Sequence, residues 1–230
     1  MTNYWRIAVA GEGGQGVQLI GEVLAEAAFR SGKEAVYIPN FGVEQRGGVS
    51  IAMVQIADQA IGAPKFAKAD ILVPLSARAM KRTLDFIGPD TLYIYEASAI
   101  EPPHLLDGTI GIQAWETVAP EAFSLAVGTK PQAPNQPPEG VGLEPRRVIG
   151  IPAAAIAKQE LKPRVFNVII LGAIVAASQV LSAKAIEAGL LARLGDKFER
   201  DPELKELNLR ALQRGMDFVA ELARRKCKNE

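Results

Sequence analysis

The chain has 230 residues, 48% of them hydrophobic, which is enough for one sizeable core, so we expect a single domain over residues 1–230. Its 26 basic and 26 acidic side chains cancel, so charge gives no reason to expect nucleic-acid or anionic-membrane binding. With one cysteine, Cys227, and one histidine, His104, the chain cannot form a disulfide framework, hold an iron–sulfur cluster or build a zinc-finger site.

The first two thirds of the chain alternate between β-rich runs and helical patterns. The predicted strands are residues 6–10, 34–38, 49–57, 71–75, 91–95 and 148–151. A helical pattern follows the first strand and stops at Gly32, and Ser76 is placed to cap a helix after the fourth strand. The alternation predicts an α/β fold, a three-layer Rossmann-like domain with a largely parallel sheet.

Residues 116–147 differ from the rest because they contain six prolines with polar residues and glycines between them. This proline-rich insert is either an arm that orders against a partner or an ordinary surface loop. The C-terminal third is predicted to be helical, over residues 165–179, 183–194 and 204–225, with Asn167 expected to cap the first of these helices.

The longest apolar run, residues 168–180, is shorter than the roughly 20 residues that span a bilayer. The N-terminal residues show no basic segment ahead of a hydrophobic signal core. We therefore expect a cytoplasmic protein with no membrane insertion.

A glycine-rich loop follows the first strand directly. The sequence GEGGQGV places Gly11, Gly13 and Gly16 at the spacing G-x-G-x-x-G, together with Gly14 and Gln15. A preceding strand and a following helix match a dinucleotide-binding turn. The acidic residue that would hold the ribose hydroxyls is missing, because the second strand ends in YIPNF. The spacing alone therefore indicates only that an anion or a backbone approaches the first helix closely.

A second glycine cluster, FGVEQRGGVS, lies between the second and third strands and contains Glu44, Arg46, Gly47 and Gly48. Since the ends of neighbouring strands form the crevice of such sheets, we expect both loops to border one cleft. Arg46 can pair with a phosphate or with a partner's carboxylate, and Glu44 can orient it. The alternative is a tight turn in which both side chains are solvated.

Five ordered blocks of the sequence resemble the gamma subunits of the 2-oxoacid:acceptor (ferredoxin) oxidoreductases. That family includes the pyruvate, 2-oxoglutarate, indolepyruvate and phenylglyoxylate enzymes. The blocks are GEGGQGV, EQRGG, ADILVPLS, VIGIPAAAIA and NVIILGA, and the likeness extends to Asn208 and Gly215 in the last helix. It covers nearly the whole chain apart from the proline-rich insert.

The resemblance implies a noncatalytic subunit of an enzyme that converts a 2-oxoacid to an acyl-coenzyme A by oxidative decarboxylation. In that family thiamine diphosphate, with Mg²⁺, attacks the keto carbon, [4Fe–4S] clusters carry the electrons, and coenzyme A is the co-substrate. This chain has no cluster cysteines and no GDG-type thiamine motif. These cofactors are therefore expected on alpha, beta and ferredoxin-like delta subunits, and this chain is expected to bind none and to be inactive alone.

Several points stay open at this stage. The sequence identifies neither the 2-oxoacid nor the final acceptor, which is ferredoxin or, through a further subunit, NAD. The glycine loops either contact coenzyme A, whose phosphates suit a helix N-terminus, or pack against the sister subunits. A self-sufficient dinucleotide-binding oxidoreductase is the alternative function. The expected binding residues, with no catalytic or metal-ligating residue among them, are Gly11, Gly13, Gly14, Gln15, Gly16, Glu44, Arg46, Gly47 and Gly48.

Overall fold

A six-stranded sheet forms the centre of the computed structural model, which describes residues 4–41, 48–98, 100, 106–107, 111–112 and 148–229. The strands of this sheet are β1 (Tyr4–Glu12), β2 (Glu34–Asn40), β3 (Val49–Ala57), β4 (Ile71–Pro74), β5 (Leu92–Glu96) and β8 (Val148–Ile151). Two short strands, β6 (Leu106–Asp107) and β7 (Gly111–Ile112), pair with each other.

Within the described residues, six α-helices accompany the sheet. They are α1 (Val17–Arg30), α2 (Ala77–Arg82), α3 (Ala153–Glu160), α4 (Phe166–Ser178), α5 (Ala183–Arg200) and α6 (Pro202–Asn229). Within the described ranges no helix is long and apolar enough to cross a membrane. The α/β fold with a helical C-terminal third is therefore confirmed.

The strand order is β2-β3-β1-β4-β5-β8, and the sheet is mixed but largely parallel. β1, β4, β5 and β8 pair in parallel, whereas β3 runs antiparallel to both β1 and β2. The sequence predicted a largely parallel sheet, which is confirmed, but it did not identify β3 as the antiparallel strand. Only eight residues separate β2 from β3, and this is too short for the crossover connection that parallel pairing requires.

The two faces of the sheet pack against different elements because side chains alternate along each strand. Ile7 and Val9 of β1 belong to the main apolar cluster, which includes buried residues of α1 and α4. Ala8 belongs to a second cluster with Leu72, Tyr93 and Met80 of α2. Helices thus cover both faces of the central strands, and β1 is buried from Ile7 to Ala10.

The apolar helix α4 is buried over residues 167–175, as its almost uniformly hydrophobic sequence predicted. It crosses α6 where each helix carries a glycine. A β-carbon on Gly172 would overlap the backbone carbonyl of Leu212, and one on Gly215 would overlap the carbonyl of Ile169. The two helix backbones therefore come closer than any side chain at these two positions would allow.

The helix ends agree with several predicted signals. Gly32 has φ 75°, a left-handed conformation that closes α1. Ser76 caps α2, its hydroxyl accepting a hydrogen bond from the Ala79 amide at 3.2 Å. The proline-rich insert, predicted at residues 116–147, lies outside the described residues.

Candidate functional site

The loop after β1 lies at a topological switch point of the sheet. β1 and β4 are adjacent and parallel, with Ala10 opposite Pro74. After β1 the chain continues to the β2–β3 side of the sheet, whereas after β4 it continues to β5 on the other side. In open α/β sheets such a point opens a crevice beyond the carboxyl ends of the strands. Residues 12–16 border this crevice on one side, and Leu75 and Ser76 border it on the other.

The side chain of Gln15 forms hydrogen bonds with both sides of the crevice. Its Oε1 accepts a hydrogen bond from the Glu12 amide at 2.6 Å, and its Nε2 donates to the Leu75 carbonyl at 3.1 Å. The Gln15 amide also donates to the Glu12 carbonyl at 3.1 Å. Gln15 therefore holds the loop in shape, while its predicted contact with a ligand stays a prediction.

The fold requires three of the four glycines of the loop. A β-carbon on Gly11 would come within 2.6 Å of Gln15 Oε1, so this position must be small for the loop to close. Gly14 and Gly16 have φ values of 89° and 72°, which favour glycine. Gly13 does not have a left-handed backbone conformation. A β-carbon built on it would have no described atom within 4 Å. Among the described residues, nothing in the fold requires a glycine at position 13.

The loop delivers the chain into the N-terminus of α1. Gly16 is the N-cap, and the first intrahelical bond runs from the Ile20 amide to the Gly16 carbonyl at 3.2 Å. No side chain caps the helix, and its first turn has no acidic residue. The amides of residues 17–19 thus lack helical acceptors, and together with the helix dipole they favour an anion at this end.

The second predicted loop begins and ends beside the first. Val49, which opens β3, lies opposite Glu12 in the ladder, and Asn40, which ends β2, lies opposite Ile51. Gly48 therefore lies at the same edge as the loop of residues 12–16. Of the other predicted site residues, Glu44, Arg46 and Gly47 lie outside the described residues, and their part in the site stays a prediction.

The topology differs from that of a dinucleotide-binding fold at the position where the ribose would lie. Such folds place a second parallel strand beside the first and use an acidic residue at its carboxyl end. Here β3 occupies that place, runs antiparallel and presents its N-terminal end. β2 lies one strand farther away and ends in Asn40. Both differences weigh against the alternative function.

Asn167 is part of this site, whereas its place in the sequence predicted a helix cap. α4 begins at Phe166 and its N-cap is Val165, so the capping role is wrong and Asn167 lies in the first turn. Its side chain is 6% exposed and packs on Gly16, beside the N-terminus of α1. No sequence pattern shows this contact, since it joins two helix starts far apart in the chain.

A second polar group that the sequence did not reveal lies one strand beyond β4. Glu96, at the carboxyl end of β5, is fully buried. Its Oε1 accepts hydrogen bonds from the Ser98 hydroxyl at 2.7 Å and from the Ala154 amide at 3.1 Å. This carboxylate fixes the N-terminal end of α3 at the same edge of the sheet.

Tyr37 of β2 packs against α1. Its hydroxyl donates to Gln18 Oε1 at 2.6 Å, and its ring lies against Gly21, where a β-carbon would come within 2.8 Å of the ring. Burial, followed by the negative charge of Glu22, raises the pKa of Tyr37. The phenol therefore stays protonated and keeps α1 fixed on β2.

The site as described has the chemistry of a binding surface. The crevice offers backbone amides, a helix N-terminus and the side-chain amide of Asn167. Among the described residues, no three or more His, Cys, Asp or Glu side chains are grouped so that they could hold a metal ion. The arrangement can bind an anion or a polypeptide edge.

Comparison with known proteins gives the same family over nearly the whole chain. The family model described as pyruvate ferredoxin/flavodoxin oxidoreductase matches residues 6–218. The 2-oxoglutarate synthase subunit KorC of Methanocaldococcus jannaschii is 28% identical over 94% of this chain and 94% of its own length.

Two solved structures have a similar fold. The gamma subunit of a keto/oxoacid ferredoxin oxidoreductase from Geobacter sulfurreducens is 25% identical, with a TM-score of 0.64, and the match covers 94% of this chain and 99% of that one. The 2-oxoglutarate:ferredoxin oxidoreductase of Magnetococcus marinus, solved with 2-oxoglutarate, coenzyme A and succinyl-CoA bound, is 23% identical, with a TM-score of 0.68. That match covers 95% of this chain and 31% of the Magnetococcus chain.

Proposed function

The chain belongs to the pyruvate ferredoxin/flavodoxin oxidoreductase family, and on that premise we propose that it is the gamma subunit of a coenzyme A-acylating 2-oxoacid oxidoreductase. The observation that carries the proposal is similarity over the full length of gamma-type subunits, at 94% and 99% coverage. The complete enzyme would convert a 2-oxoacid to an acyl-coenzyme A and pass the electrons to an acceptor such as ferredoxin.

Within that enzyme we assign the chain a noncatalytic role. The crevice at the β1–β4 switch point supplies hydrogen-bond donors, and among the described residues no three or more His, Cys, Asp or Glu side chains are grouped to hold a metal ion. A single cysteine in the whole sequence cannot ligate a [4Fe–4S] cluster, so this chain does not fit that group. Thiamine diphosphate, Mg²⁺ and the clusters accordingly belong to the alpha, beta and delta subunits in this proposal.

The glycine loop is the surface that we assign to coenzyme A or to a sister subunit. Gly13 and Gly14 are exposed, and nothing described lies within 4 Å of a β-carbon at either position. Close approach of an outside group accounts for a glycine at position 13, where the fold gives no other reason. Coenzyme A carries a pyrophosphate and a 3′-phosphate, and both suit the uncapped N-terminus of α1.

Arg46 and Glu44 extend this surface in the proposal, since Gly48 and Val49 place the second loop beside Glu12. A guanidinium can bind a phosphate or a subunit's carboxylate in a bidentate manner.

The proline-rich insert is proposed as an arm that lies across a sister subunit. The similarity of the Magnetococcus chain, which is about three times as long, is compatible with a gamma-type domain embedded in a larger assembly.

The test is reconstitution of the complex. The full chain is co-expressed with candidate thiamine-binding and ferredoxin-like subunits from the same organism and purified through a tag on this chain. We expect the sister subunits to co-purify and the complex to reduce an acceptor when both a 2-oxoacid and coenzyme A are present. The chain alone should show neither iron nor activity. Stoichiometric iron in the isolated chain, or activity without sister subunits, would overturn the proposal.

A further inference from the structure

We propose that Asn167 is a ligand-binding residue, and that its side-chain amide and the N-terminus of α1 together form a site for one oxyanion. The kind of ligand is a phosphate or carboxylate group. The identification of its source as coenzyme A or a sister subunit rests on the proposed function, whereas the site itself rests on the geometry described below.

The first observation is the orientation of the Asn167 side chain. Its Oδ1 accepts a hydrogen bond from the Val168 amide at 3.1 Å, which fixes the amide plane. Its Nδ2 consequently points toward Gly16 and is the atom that a β-carbon on Gly16 would overlap. The donor end of the amide therefore lies beside the N-cap of α1.

The second observation is that this donor is unused within the described part of the chain. The bond accepted by Oδ1 is the one hydrogen bond of Asn167 there, so Nδ2 donates to no described group. Asn167 is only 6% exposed. Nδ2 is not one of the fully enclosed side-chain atoms that lack a partner, so this donor is accessible from outside the protein. An oxyanion at the end of α1 can therefore accept its hydrogen bond.

The third observation is that the end of α1 is otherwise open. Its N-cap has no side-chain hydrogen bond and its first turn contains no carboxylate. Gln15, the nearest flexible amide, is occupied at both ends by Glu12 and Leu75. Asn167 and Gln18, whose Nε2 also has no partner, are thus described side chains with a donor available at this helix end, and the amides of residues 17–19 supply further donors.

The substitution that tests the site is Asn167→Asp. Aspartate has nearly the same shape, keeps an oxygen for the Val168 amide and is favourable in the first turn of α4. It replaces the donor by a negative charge that repels an oxyanion. The matched control is Gln59→Glu, which adds the same charge to an exposed turn beyond the opposite end of β3.

The first measurement is the binding of inorganic pyrophosphate to the full chain by isothermal titration at constant ionic strength. We expect Asn167→Asp to raise the dissociation constant by about tenfold or more, as for loss of a charge-assisted hydrogen bond, and Gln59→Glu to leave it unchanged. Equal affinity in Asn167→Asp and wild type, or no binding by wild type, would overturn the site. If Asn167→Asp fails to fold, the wild-type chain labelled with ¹⁵N-asparagine serves instead. Its Asn167 side-chain signal, identified with Asn167→Ala, must then move on addition of pyrophosphate and not of sodium chloride.

The second measurement identifies the source of the oxyanion in the assembled enzyme. A raised KM for coenzyme A with an unchanged KM for the 2-oxoacid supports a coenzyme phosphate. Loss of sister subunits on gel filtration with an unchanged KM for coenzyme A supports a partner carboxylate. If Asn167→Asp changes neither in an active complex, the functional site is overturned. Failure of the wild-type complex to assemble instead counts against the proposed function.

Discussion

Asn167 lies so close to Gly16 that any β-carbon at position 16 would overlap its Nδ2 atom. Gly16 is also left-handed, with φ 72° and ψ 22°, so glycine is required there both by the backbone and by the neighbouring side chain. The contact sets how closely the N-terminal ends of α1 and α4 approach each other. It therefore couples the glycine loop to the buried C-terminal helices.

Gly16→Ala should destabilise the full chain by about 2–4 kcal/mol, from left-handed strain plus overpacking against Asn167. The double variant with Asn167→Ala should recover the overpacking part and leave the strain. Urea unfolding measures Gly16→Ala, Asn167→Ala and the double variant. Gly62→Ala, at an exposed loop glycine with no atom within 4 Å, is the control and should stay within about 0.5 kcal/mol of wild type. Equal effects of Gly16→Ala and Gly62→Ala would refute this account of the contact.

Gly13→Ala should separate folding from binding. A β-carbon there meets no described atom, so the free energy of unfolding should change by less than about 0.5 kcal/mol. In the assembled enzyme the same variant should raise the KM for coenzyme A or weaken subunit association, because the new methyl group blocks close approach. Steady-state kinetics and gel filtration test this. Wild-type behaviour in both would remove Gly13 from the binding surface.

Gly215→Ala should be among the most destabilising small substitutions in the chain. Its β-carbon would overlap the Ile169 carbonyl, and backbone cannot move aside as a side chain can. We expect a loss of about 2–3 kcal/mol or more in urea unfolding. Gly195→Ala in α5 is the matched helical control, because nothing lies within 4 Å of its β-carbon. Alanine there should stabilise the protein by about 0.5–1 kcal/mol. The same sign for both variants would contradict the close crossing of α4 and α6.

The ion pair between Glu160 and Arg214 should give a small pH dependence of stability. Arg214 Nε lies 2.8 Å from Glu160 Oε2, and hydrogen bonding to Arg214 lowers the pKa of Glu160. A carboxyl whose pKa is lower in the folded state than in the unfolded state stabilises the protein at pH values above its unfolded-state pKa. This stabilisation is lost as the pH falls through its folded-state pKa. Because the side chains are 26% and 44% exposed, the contribution is at most about 1 kcal/mol. Glu160→Gln should therefore be slightly less stable than wild type at pH 7. Urea denaturation at a series of pH values measures the difference in the free energy of unfolding between wild type and Glu160→Gln. This difference should disappear at pH values below the usual range of carboxyl pKa values. A difference that persists at such low pH would exclude the ion pair as its cause.

Arg46→Ala tests the second loop. If its guanidinium binds a phosphate of coenzyme A, the KM for coenzyme A should rise by about tenfold or more, since such contacts contribute roughly 1.5–3 kcal/mol. The complex should stay assembled. Arg82→Ala, an exposed arginine at the end of α2, is the control and should change nothing. Dissociation of the Arg46→Ala complex would assign the side chain to a subunit contact instead.

The sequence predicted the elements well because each carries its own local signal. Apolar runs marked β3 and β8 at the bounds observed, and Ser76 and Gly32 marked helix ends. The sequence predicted a largely parallel sheet without identifying β3 as its antiparallel strand, although the connection of eight residues between β2 and β3 is too short for a crossover. Neither the hydrogen bonds of the Gln15 side chain to Glu12 and Leu75 nor the contact of Asn167 with Gly16 could be predicted from the sequence. The bond to Leu75 joins residues 60 apart in the chain, and the contact of Asn167 depends on where two helices begin in space.

The pairing of β5 with β8 has a consequence for the order in which the protein is made. Glu96 pairs with Ile151, and the chain between these two strands is about 50 residues long. At translation rates of roughly 5–20 residues per second, the outer edge of β5 waits on the order of 3–10 s for its partner strand. An unpaired strand edge is a template for wrong pairing between chains. During this interval the incomplete sheet of the nascent protein is exposed to aggregation. The glycine loop has then been synthesised, but α4, which packs beside that loop, has not.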